Sequence, residues 1–253
     1  MDSIARIAKW TMYFCLAGWG ITLILQMRLP DHTQINSSLF QAPVQKELSA
    51  EDFVIEYRGR KNTIHPVAEY ELHGLVVSHN DPSVWWRFDI SHDKDSLNTR
   101  DICVIWGDNL KNDDFKQVRV HNDDVFCLYD YGPDVHFNPS QLSNNHLIVR
   151  TQAIRNAIER LEVGDQIRIV GKLVNYTEDT ASGRPHITST TREDAGNNAC
   201  EIVLVEQLEM LDSHNAAWSA MHRWFWYVAV AALALRTMLF FGKPESDFSI
   251  LFL

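Results

Sequence analysis

Two long apolar segments, one near each end of the chain, constrain this fold more than any other feature. The first runs without a charge from Trp10 to Met27, with Arg6 and Lys9 before it and Arg28 after it. As a helix, these residues extend over about 27 Å, close to the thickness of the hydrocarbon core of a bilayer. A cleaved signal peptide is the alternative, but the segment is long for a signal core and no small-residue cleavage site follows it. We therefore predict a transmembrane helix within residues 1–28.

The second apolar segment, residues 224–242, contains Arg236 as its only charge. Arg236 lies nearer the C-terminal end of the segment, so its long side chain can extend to the nearer headgroups. Aromatic residues gather at the opposite end, as they do in the aromatic belts at membrane surfaces. We predict a second transmembrane helix at 218–242 and a short tail at 243–253, with a buried helix of a soluble domain as the alternative. The predicted membrane anchors of the two helices are Trp10, Trp218, Trp224, Trp226, Tyr227 and Arg236.

The charge distribution bears on location and on partners. The whole chain has a net charge of −10, and residues 29–217 alone carry 17 basic and 30 acidic side chains. An acidic domain is poorly suited to gripping nucleic-acid phosphates, so no nucleic-acid partner is expected. The basic residues that flank the two spans are few and give only a weak orientation bias. We predict a bacterial inner-membrane protein with both termini in the cytoplasm and the central domain in the periplasm.

The central part of the chain has the pattern of a β-domain. Residues 29–50 contain Pro30, Pro43 and many polar residues, so a linker or an edge segment is predicted over 29–68. From residue 69 to residue 217, short runs of β-branched and aromatic residues alternate with polar turns. The first predicted strands are 69–78, 84–90, 101–106, 117–121 and 125–130.

One helix interrupts the predicted strands. Ile154, Ile158 and Leu161 are spaced so that they lie on one face of a helix, which Gly164 and Asp165 end. Three more strands are predicted after this helix, at 186–191 between two longer ones at 166–175 and 201–208. Several strands, one helix and more strands indicate an OB-like or related small β-barrel with one inserted helix. A β-sandwich is the alternative.

Several short sequences between residues 100 and 208 resemble uncharacterised bacterial membrane-anchored proteins with an OB-like extracytoplasmic domain. The sequences that carry the resemblance are Trp106-Gly107, Asn145-His146, Val163-Gly-Asp165, Gly171-Lys-Leu-Val174, Thr191-Arg-Glu-Asp-Ala-Gly196 and Ala199-Cys-Glu201. None of them is a known catalytic signature. Where those relatives carry Ile-Pro after an Asn-x-His sequence, this chain has Ile148-Val149, which departs from their local turn. The resemblance implies where the domain sits and not what it does.

Three of the four cysteines, Cys103, Cys127 and Cys200, fall in the predicted periplasmic domain, where disulfides can form. Cys103 and Cys127 lie in neighbouring predicted strands and can form a disulfide, while Cys200 could replace either partner. The remaining cysteine is then either a buried structural thiol or a reactive one. The sequence has no Cys-x-x-Cys pair, which removes the usual redox motif.

The sequence lacks the common motifs for metal binding and nucleophilic catalysis. Pairs of histidine and acidic residues at 79–81, 92–93 and 121–124 fall on predicted turns, but none has zinc spacing or completes a calcium loop. Solvated turns explain these pairs, and no metal and no cofactor are expected. Neither Gly-x-Ser-x-Gly nor a phosphate-binding Gly-x-x-x-x-Gly-Lys-Ser/Thr occurs. Enzymatic activity stays open, although these absences favour a non-enzymatic role.

Four residues are the candidates for a binding site. Arg192 and Asp194 lie in a distinctive polar loop, where a guanidinium can pair with a carboxylate of a partner. A plain surface hairpin is the alternative for this loop. Trp106 can offer a stacking surface for a sugar or a peptide, or it can belong to the core. His146 lies in the predicted loop before the helix and is either a ligand or a capping and packing residue.

From these features we expect a non-enzymatic protein with two membrane spans, whose periplasmic β-domain binds another protein, acts as a sensor or assembles with itself. The expected partners are thus the bilayer and either another protein or a second copy of the chain. Small residues suit packing between the spans, namely Ala17, Gly18 and Gly20 in the first and Ala229, Ala231, Ala232 and Ala234 in the second. The alternative is an envelope enzyme acting on a membrane-proximal substrate, with His146, Arg192 and Asp194 brought together by the fold.

Overall fold

The computed structural model describes residues 2–57, 59–80, 97–122, 126–179, 183, 185–191 and 200–241. Contacts divide the chain into two units, of which one is Leu29–His214 and the other combines the two terminal segments. The described elements are, in chain order, α1 (Asp2–Leu25), β1 (Val44–Glu47), β2 (Phe53–Tyr57), β3 (Arg60–Asn80), β4 (Asn98–Ile105), β5 (Arg119–Asn122), β6 (Cys127–Asp130), β7 (Leu142–Val149), α2 (Gln152–Ile158), β8 (Asp165–Glu178), β9 (Pro185–His186), β10 (Cys200–Ser213) and α3 (Ala216–Phe241). Short 3-10 turns occupy His32–Gln34, Ser37–Phe40, Gly107–Leu110, Asp113–Gln117 and Pro139–Gln141.

The terminal unit consists of two apolar helices. Both are long and apolar enough to cross a membrane, over Ser3–Leu25 and Ala216–Phe241. Protein covers only 17% and 11% of their apolar segments, whereas a core helix of a soluble domain is mostly covered. This exposed apolar surface suits insertion into a bilayer. The six predicted anchors lie on these two helices with exposed side chains.

Small residues bring α1 and α3 into contact. A Cβ atom placed on Gly18 would lie 2.6 Å from the ring of Phe225, so the ring packs directly on the glycine backbone. Ala229 and Ala232 are buried on α3. Gly20, in contrast, has no neighbour within 4 Å of such a Cβ atom. Of the small residues expected at the helix contact, Gly18, Ala229 and Ala232 therefore lie in it and Gly20 does not.

The central unit is a mixed, sheet-rich domain in which five strands pair in a closed circuit. β3 pairs antiparallel with β4, and β4 pairs antiparallel with β7. β7 pairs parallel with β10, β10 pairs antiparallel with β8, and β8 returns to β3. β1 and β2 add edges to β3, and β9 adds an edge to β8. A separate hairpin joins β5 and β6.

The length of β3 allows it to take part in several pairings. Its 21 residues pair first with β2, then with β8 and finally with β4. Register shifts at Pro66/Ala68 and at Val76/Ser78 mark bulges, which bend a strand and increase its twist. Elsewhere in the circuit, β8 approaches β10 closely at Gly171, where a Cβ atom would lie 2.2 Å from the Leu204 carbonyl oxygen. Only glycine, which has no side chain, therefore fits at position 171 without a shift of the backbone.

Apolar side chains cover both faces of the circuit. On one face, every circuit strand and the short helix α2 contribute to one cluster, which includes Leu72, Ile102, Leu147, Ile158, Ile167 and Val203. The opposite face carries two smaller clusters. The first is built around Leu75, Ile105, Leu110 and Phe115, and the second around Ile64, Ile148, Val174 and Ile202. Burial of each such side chain contributes about 1.5–3 kcal/mol relative to exposure.

A polar contact at each end fixes α2 on the domain. At its start, the Thr151 side chain accepts a hydrogen bond from the backbone of Ile154, as an N-cap residue does. At its end, the buried guanidinium of Arg100 on β4 donates to the carbonyl oxygens of Ile158 and Leu161. Cationic donors satisfy the last carbonyls of a helix, which have no partner within the helix.

Several sequence-based expectations agree with this structure and others do not. The strands expected at 69–78, 101–106, 166–175 and 201–208 are found within β3, β4, β8 and β10. Residues 29–68 hold β1, β2 and the start of β3 in addition to connecting turns, because charged residues mask the alternation in these edge strands. The strand expected at 186–191 is reduced to the two-residue β9. The strand expected at 84–90 lies outside the described residues.

The most informative error concerns β7. We expected a loop around His146, but this residue lies in the middle of a central strand. Four consecutive polar residues, from Ser143 to His146, hide the strand because asparagine and serine favour turns. All four nevertheless pair with β4, and the last three, from Asn144 to His146, also pair with β10.

Candidate functional site

A polar row crosses three neighbouring strands on one face of the circuit. On β4 it contains Asp101 and Cys103, on β7 Asn144 and His146, and on β10 Cys200. Asp101 is directly opposite His146, Cys103 is opposite Asn144, and Asn144 is beside Cys200. Since paired residues project to the same face of a sheet, these five side chains share one surface. We call this set the polar row.

The polar row lies between two clusters of buried apolar side chains. Cys103 is packed in the cluster around Phe115, and the next residue of β10 on this face, Ile202, belongs to the cluster around Ile148. Asp101 and Asn144 are 1% and 3% exposed. Burying polar groups costs free energy unless they find hydrogen-bond partners, so a buried polar row between two apolar clusters marks a functional candidate.

His146 and Asp101 form the closest pair in the row. The Nδ1 atom of His146 lies 2.5 Å from Oδ1 of Asp101, and the two side chains are 16% and 1% exposed. Asn98 Nδ2 donates to the same carboxylate oxygen at 2.6 Å. The Nδ1 proton of the ring is therefore directed at Asp101, which leaves Nε2 to exchange a proton with another group. The other oxygen of Asp101, Oδ2, is buried and has no hydrogen-bond partner within the described part of the chain.

The surroundings of His146 hold a proton on its ring. Burial alone lowers the pKa of a histidine because it disfavours the charged form. The negative charge of Asp101, the hydrogen bond to it and the contact with Cys200 outweigh burial, and they raise the pKa of His146 well above its usual 6.5. The folded protein therefore favours the protonated, positively charged form of this ring more than water does.

Cys200 places a thiol at the end of this pair. Its side chain is partly exposed and makes a hydrogen bond with the ring of His146. Asn144 directs its amide nitrogen at the same sulfur, at a distance of 3.4 Å. A nucleophile, a base and a group that orients the base are therefore in contact in the order Cys200, His146, Asp101. This is the arrangement that activates cysteine and serine nucleophiles.

A disulfide lies on the same face. Cys103 is bonded to Cys127, with a Cα–Cα distance of 5.8 Å, while Cys200 keeps its thiol. Asn122 links the disulfide to the polar row, because its amide nitrogen lies 3.9 Å from the Cys127 sulfur and 3.5 Å from Asn144 Oδ1. Of the three cysteines considered from the sequence, the pair Cys103 and Cys127 is joined, and Cys200 is the thiol that remains.

The four residues singled out from the sequence have different outcomes. Trp106 is 2% exposed and belongs to the main core cluster, so the stacking surface expected there is wrong. A large aromatic ring in a strand end is stabilised more by burial than by exposure to a ligand. His146 lies in the polar row as described above. Arg192 and Asp194 lie outside the described residues, so their convergence with His146 stays a prediction.

Sequence reasoning did not identify Asp101 and Asn144 as site residues. The sequence did contain a signal for them, because Asp101 is two positions from Cys103 and Asn144 is two positions from His146. Polar residues at alternate positions of a strand share a face. Once β7 is assigned as a strand, this spacing places Asp101 and Cys103 on one face of β4, and Asn144 and His146 on one face of β7.

An exposed aromatic cluster lies on the hairpin of β5 and β6 and the segment after it. The ring centroids of Tyr129 and Tyr131 are 6.2 Å apart, and those of Tyr131 and Phe137 are 5.5 Å apart. Tyr129 and Leu128 are 44% and 41% exposed. The hairpin therefore presents apolar surface to its surroundings.

Among the residues with described positions, no group of three His, Cys, Asp or Glu side chains is arranged to hold a metal ion. In comparisons with known proteins, no protein-family model, no curated protein and no solved structure matches this chain.

Proposed function

We propose that this protein is a membrane-anchored enzyme that uses Cys200 as its nucleophile. The observation that carries the proposal is the continuous contact from Cys200 through His146 to Asp101. A thiol beside an imidazolium is a reactive nucleophile, because the positive ring stabilises the negative sulfur. Asp101 is a positioning residue, since it touches His146 and holds the ring in one orientation. This proposal takes up the envelope enzyme that the sequence offered as the alternative. Its site consists of Cys200, His146 and Asp101.

Acyl transfer is the reaction class that this set of groups supports. The Cys200 thiolate attacks an acyl carbon, the bond to the leaving group breaks, and a thioester forms on the sulfur. His146 gives its proton to the leaving group in this step. In the second step, His146 takes a proton from water or another acceptor, which attacks the thioester and releases Cys200. Asn144 donates to the sulfur and stabilises its negative form.

Acylation by a simple activated ester tests this function. The full chain in lipid nanodiscs is treated with p-nitrophenyl acetate, and the acetylated cysteine is identified by mass spectrometry. We expect acetylation of Cys200 with a burst of p-nitrophenolate, and a loss of about 100-fold in the burst rate for His146→Gln. Cys15→Ser is the matched control and leaves the burst unchanged, because Cys15 lies on α1. Equal acetylation rates in the wild type and in His146→Gln would contradict the proposal.

The setting proposed for this enzyme is the bacterial inner membrane. Two helices compatible with membrane spans support an anchor at both ends of the domain. A disulfide between Cys103 and Cys127 suits an oxidising compartment, which in a bacterium is the periplasm. With both termini in the cytoplasm, the central domain would lie on the periplasmic side of this membrane. Protease accessibility of the domain in spheroplasts, but not in inverted vesicles, tests the orientation.

The fold proposed for the domain is an OB-like barrel. The closed pairing circuit of β3, β4, β7, β10 and β8 supports it, because such a barrel is built from five strands. The order of these strands, the parallel pair of β7 and β10, and the position of α2 before β8 also support it. In this architecture, the polar row lies on the outer surface of the barrel wall and the main core cluster fills the interior.

A protein-binding or assembly role is the second candidate function. The exposed cluster of Tyr129, Tyr131 and Phe137 favours it, because aromatic residues are enriched where proteins bind each other. Chemical crosslinking in membranes tests it. We expect crosslinked species with the wild type that disappear with Tyr131→Ser and persist with the control His136→Ala, whose side chain is 90% exposed nearby. Monomers alone in every variant would contradict this role.

A further inference from the structure

We infer that the Cys200 thiol exchanges with the Cys103–Cys127 disulfide by attacking the sulfur of Cys127. This inference rests on the reactive thiol of the proposed function, and it does not require acyl transfer. The exchanged form, with a Cys127–Cys200 disulfide, has lost the partly exposed thiol of Cys200 and has instead the buried thiol of Cys103. The same row of residues would therefore hold both an enzyme site and the thiol–disulfide pair that turns it off.

The register of the sheet brings the three cysteines together. Cys103 and Cys200 flank Asn144 from the two neighbouring strands. Strands lie about 4.8 Å apart, so the Cα atoms of Cys103 and Cys200 are separated by about 10 Å. A disulfide needs Cα atoms within about 7 Å, so these two residues cannot pair without moving the central strands. Cys127 is the partner that remains for Cys200.

The Cys127 sulfur contacts the strand that separates the other two cysteines. Its Sγ atom is 3.7 Å from the Ser143 carbonyl oxygen on β7, the strand between Cys103 on β4 and Cys200 on β10. The Cys127 sulfur is therefore bonded to Cys103 and in contact with the strand next to Cys200. Displacement at a disulfide sulfur proceeds through attack from the side opposite the leaving sulfur. An attack by Cys200 on Cys127 makes Cys103 the leaving group.

Two amides connect the attacking sulfur with its target. Asn144 contacts the Cys200 sulfur, and Asn122 contacts both Asn144 and the Cys127 sulfur. Asn122 and Cys127 pair with each other on the β5–β6 hairpin, which is not part of the closed circuit. A short hairpin can shift more easily than a central strand, so Cys127 can approach Cys200 when these amides turn aside.

The exchange is balanced within the protein. The Cys200 thiolate forms a bond to Cys127, the bond between Cys127 and Cys103 breaks, and Cys103 leaves as a thiolate that takes up a proton. His146 supplies this proton. One disulfide is present before and after, so no external oxidant or reductant is consumed. Cys103 is fully buried in the apolar cluster around Phe115, which favours return to the original pairing.

Serine variants of the full chain in lipid nanodiscs test the exchange, in a Cys15→Ser background. In Cys103→Ser, purified in buffer with oxidised glutathione, we expect peptide mapping to find a Cys127–Cys200 disulfide. In the matched control Cys127→Ser, we expect Cys103 and Cys200 to remain thiols that are not linked to each other. A Cys103→Ser chain whose Cys200 stays unlinked, or a Cys127→Ser chain that links Cys103 to Cys200, would overturn the inference.

A second measurement avoids any dependence on the folding of Cys103→Ser. The disulfide form of the Cys15→Ser chain is equilibrated at pH 8 without alkylating agent, denatured in acidic guanidinium to stop exchange, and then labelled with N-ethylmaleimide. We expect label on Cys103 in a measurable fraction of the chains, and none in a chain that also carries Cys200→Ser. Label on Cys103 no higher than in the Cys200→Ser chain would overturn the inference, and acetylation of Cys200 by p-nitrophenyl acetate would then show whether the proposed function fails as well.

Discussion

Replacement of Arg100 by alanine should destabilise the domain more than any exposed arginine replacement. Arg100 is 5% exposed, and its Nη1 atom lies 3.1, 3.1 and 2.6 Å from the carbonyl oxygens of Ile158, Glu159 and Leu161. Nη1 has two protons, so two of these hydrogen bonds form at once. A hydrogen bond to a charged group contributes about 1.5–3 kcal/mol, and hydration of the exposed Glu159 carbonyl recovers part of the loss. We therefore expect Arg100→Ala to lower the free energy of unfolding by about 3 kcal/mol.

The matched control is Arg168→Ala on β8. The Arg168 side chain is 31% exposed and pairs with Glu71 and Glu209 at the surface, so its loss should cost about 1 kcal/mol or less. Unfolding of the full chain in detergent micelles is followed by pulse proteolysis and by thermal melting. For a domain of this size, about 3 kcal/mol corresponds to a fall in Tm of about 6–12 °C. Equal Tm values for Arg100→Ala and Arg168→Ala would refute the role of Arg100 in fixing α2.

Three further results follow from other contacts. We expect Gly18→Leu to reduce disulfide crosslinking between cysteines introduced on α1 and α3, and Gly20→Leu to leave it unchanged, because only Gly18 faces the Phe225 ring. Gly171→Ala places a methyl group against a backbone oxygen and should lower the free energy of unfolding by about 1–3 kcal/mol, measured by thermal melting. The raised pKa of His146 contributes stability that is complete below about pH 6.5 and is lost as pH rises through that pKa. His146→Gln should therefore flatten the fall of Tm with rising pH, and an unchanged slope would contradict this.

The parts of the fold that could be predicted are those in which local pattern and final environment agree. The two apolar segments stand out because each is uniformly apolar over a length that suits a bilayer. β4, β8 and β10 alternate apolar side chains in short runs between turn residues, and their positions follow from this pattern. β7 lacks this pattern, because its central residues are the polar side chains around His146, which have a low strand propensity.

The site was less predictable than the strands because long-range pairing builds it. His146 could be singled out as a residue type, but its partner Asp101 is 45 positions away in sequence. Cys200 reaches it only through the parallel pairing of β7 and β10. Parallel neighbours are joined by a long crossover, so nothing local in the sequence reports the register between them. The contact between Cys200 and His146 could therefore be recognised only from the pairing of the strands in three dimensions.

The rate of Cys200 alkylation tests most directly the claim that Asp101 and His146 activate this thiol. The rate of iodoacetamide modification is measured at pH 7 on the Cys15→Ser chain with and without Asp101→Asn, and far-UV circular dichroism verifies the fold of both. We expect Asp101→Asn to lower this rate by about ten-fold, because the asparagine no longer stabilises the protonated ring beside the sulfur. Equal rates in the two chains would contradict the activation of Cys200 by its neighbours.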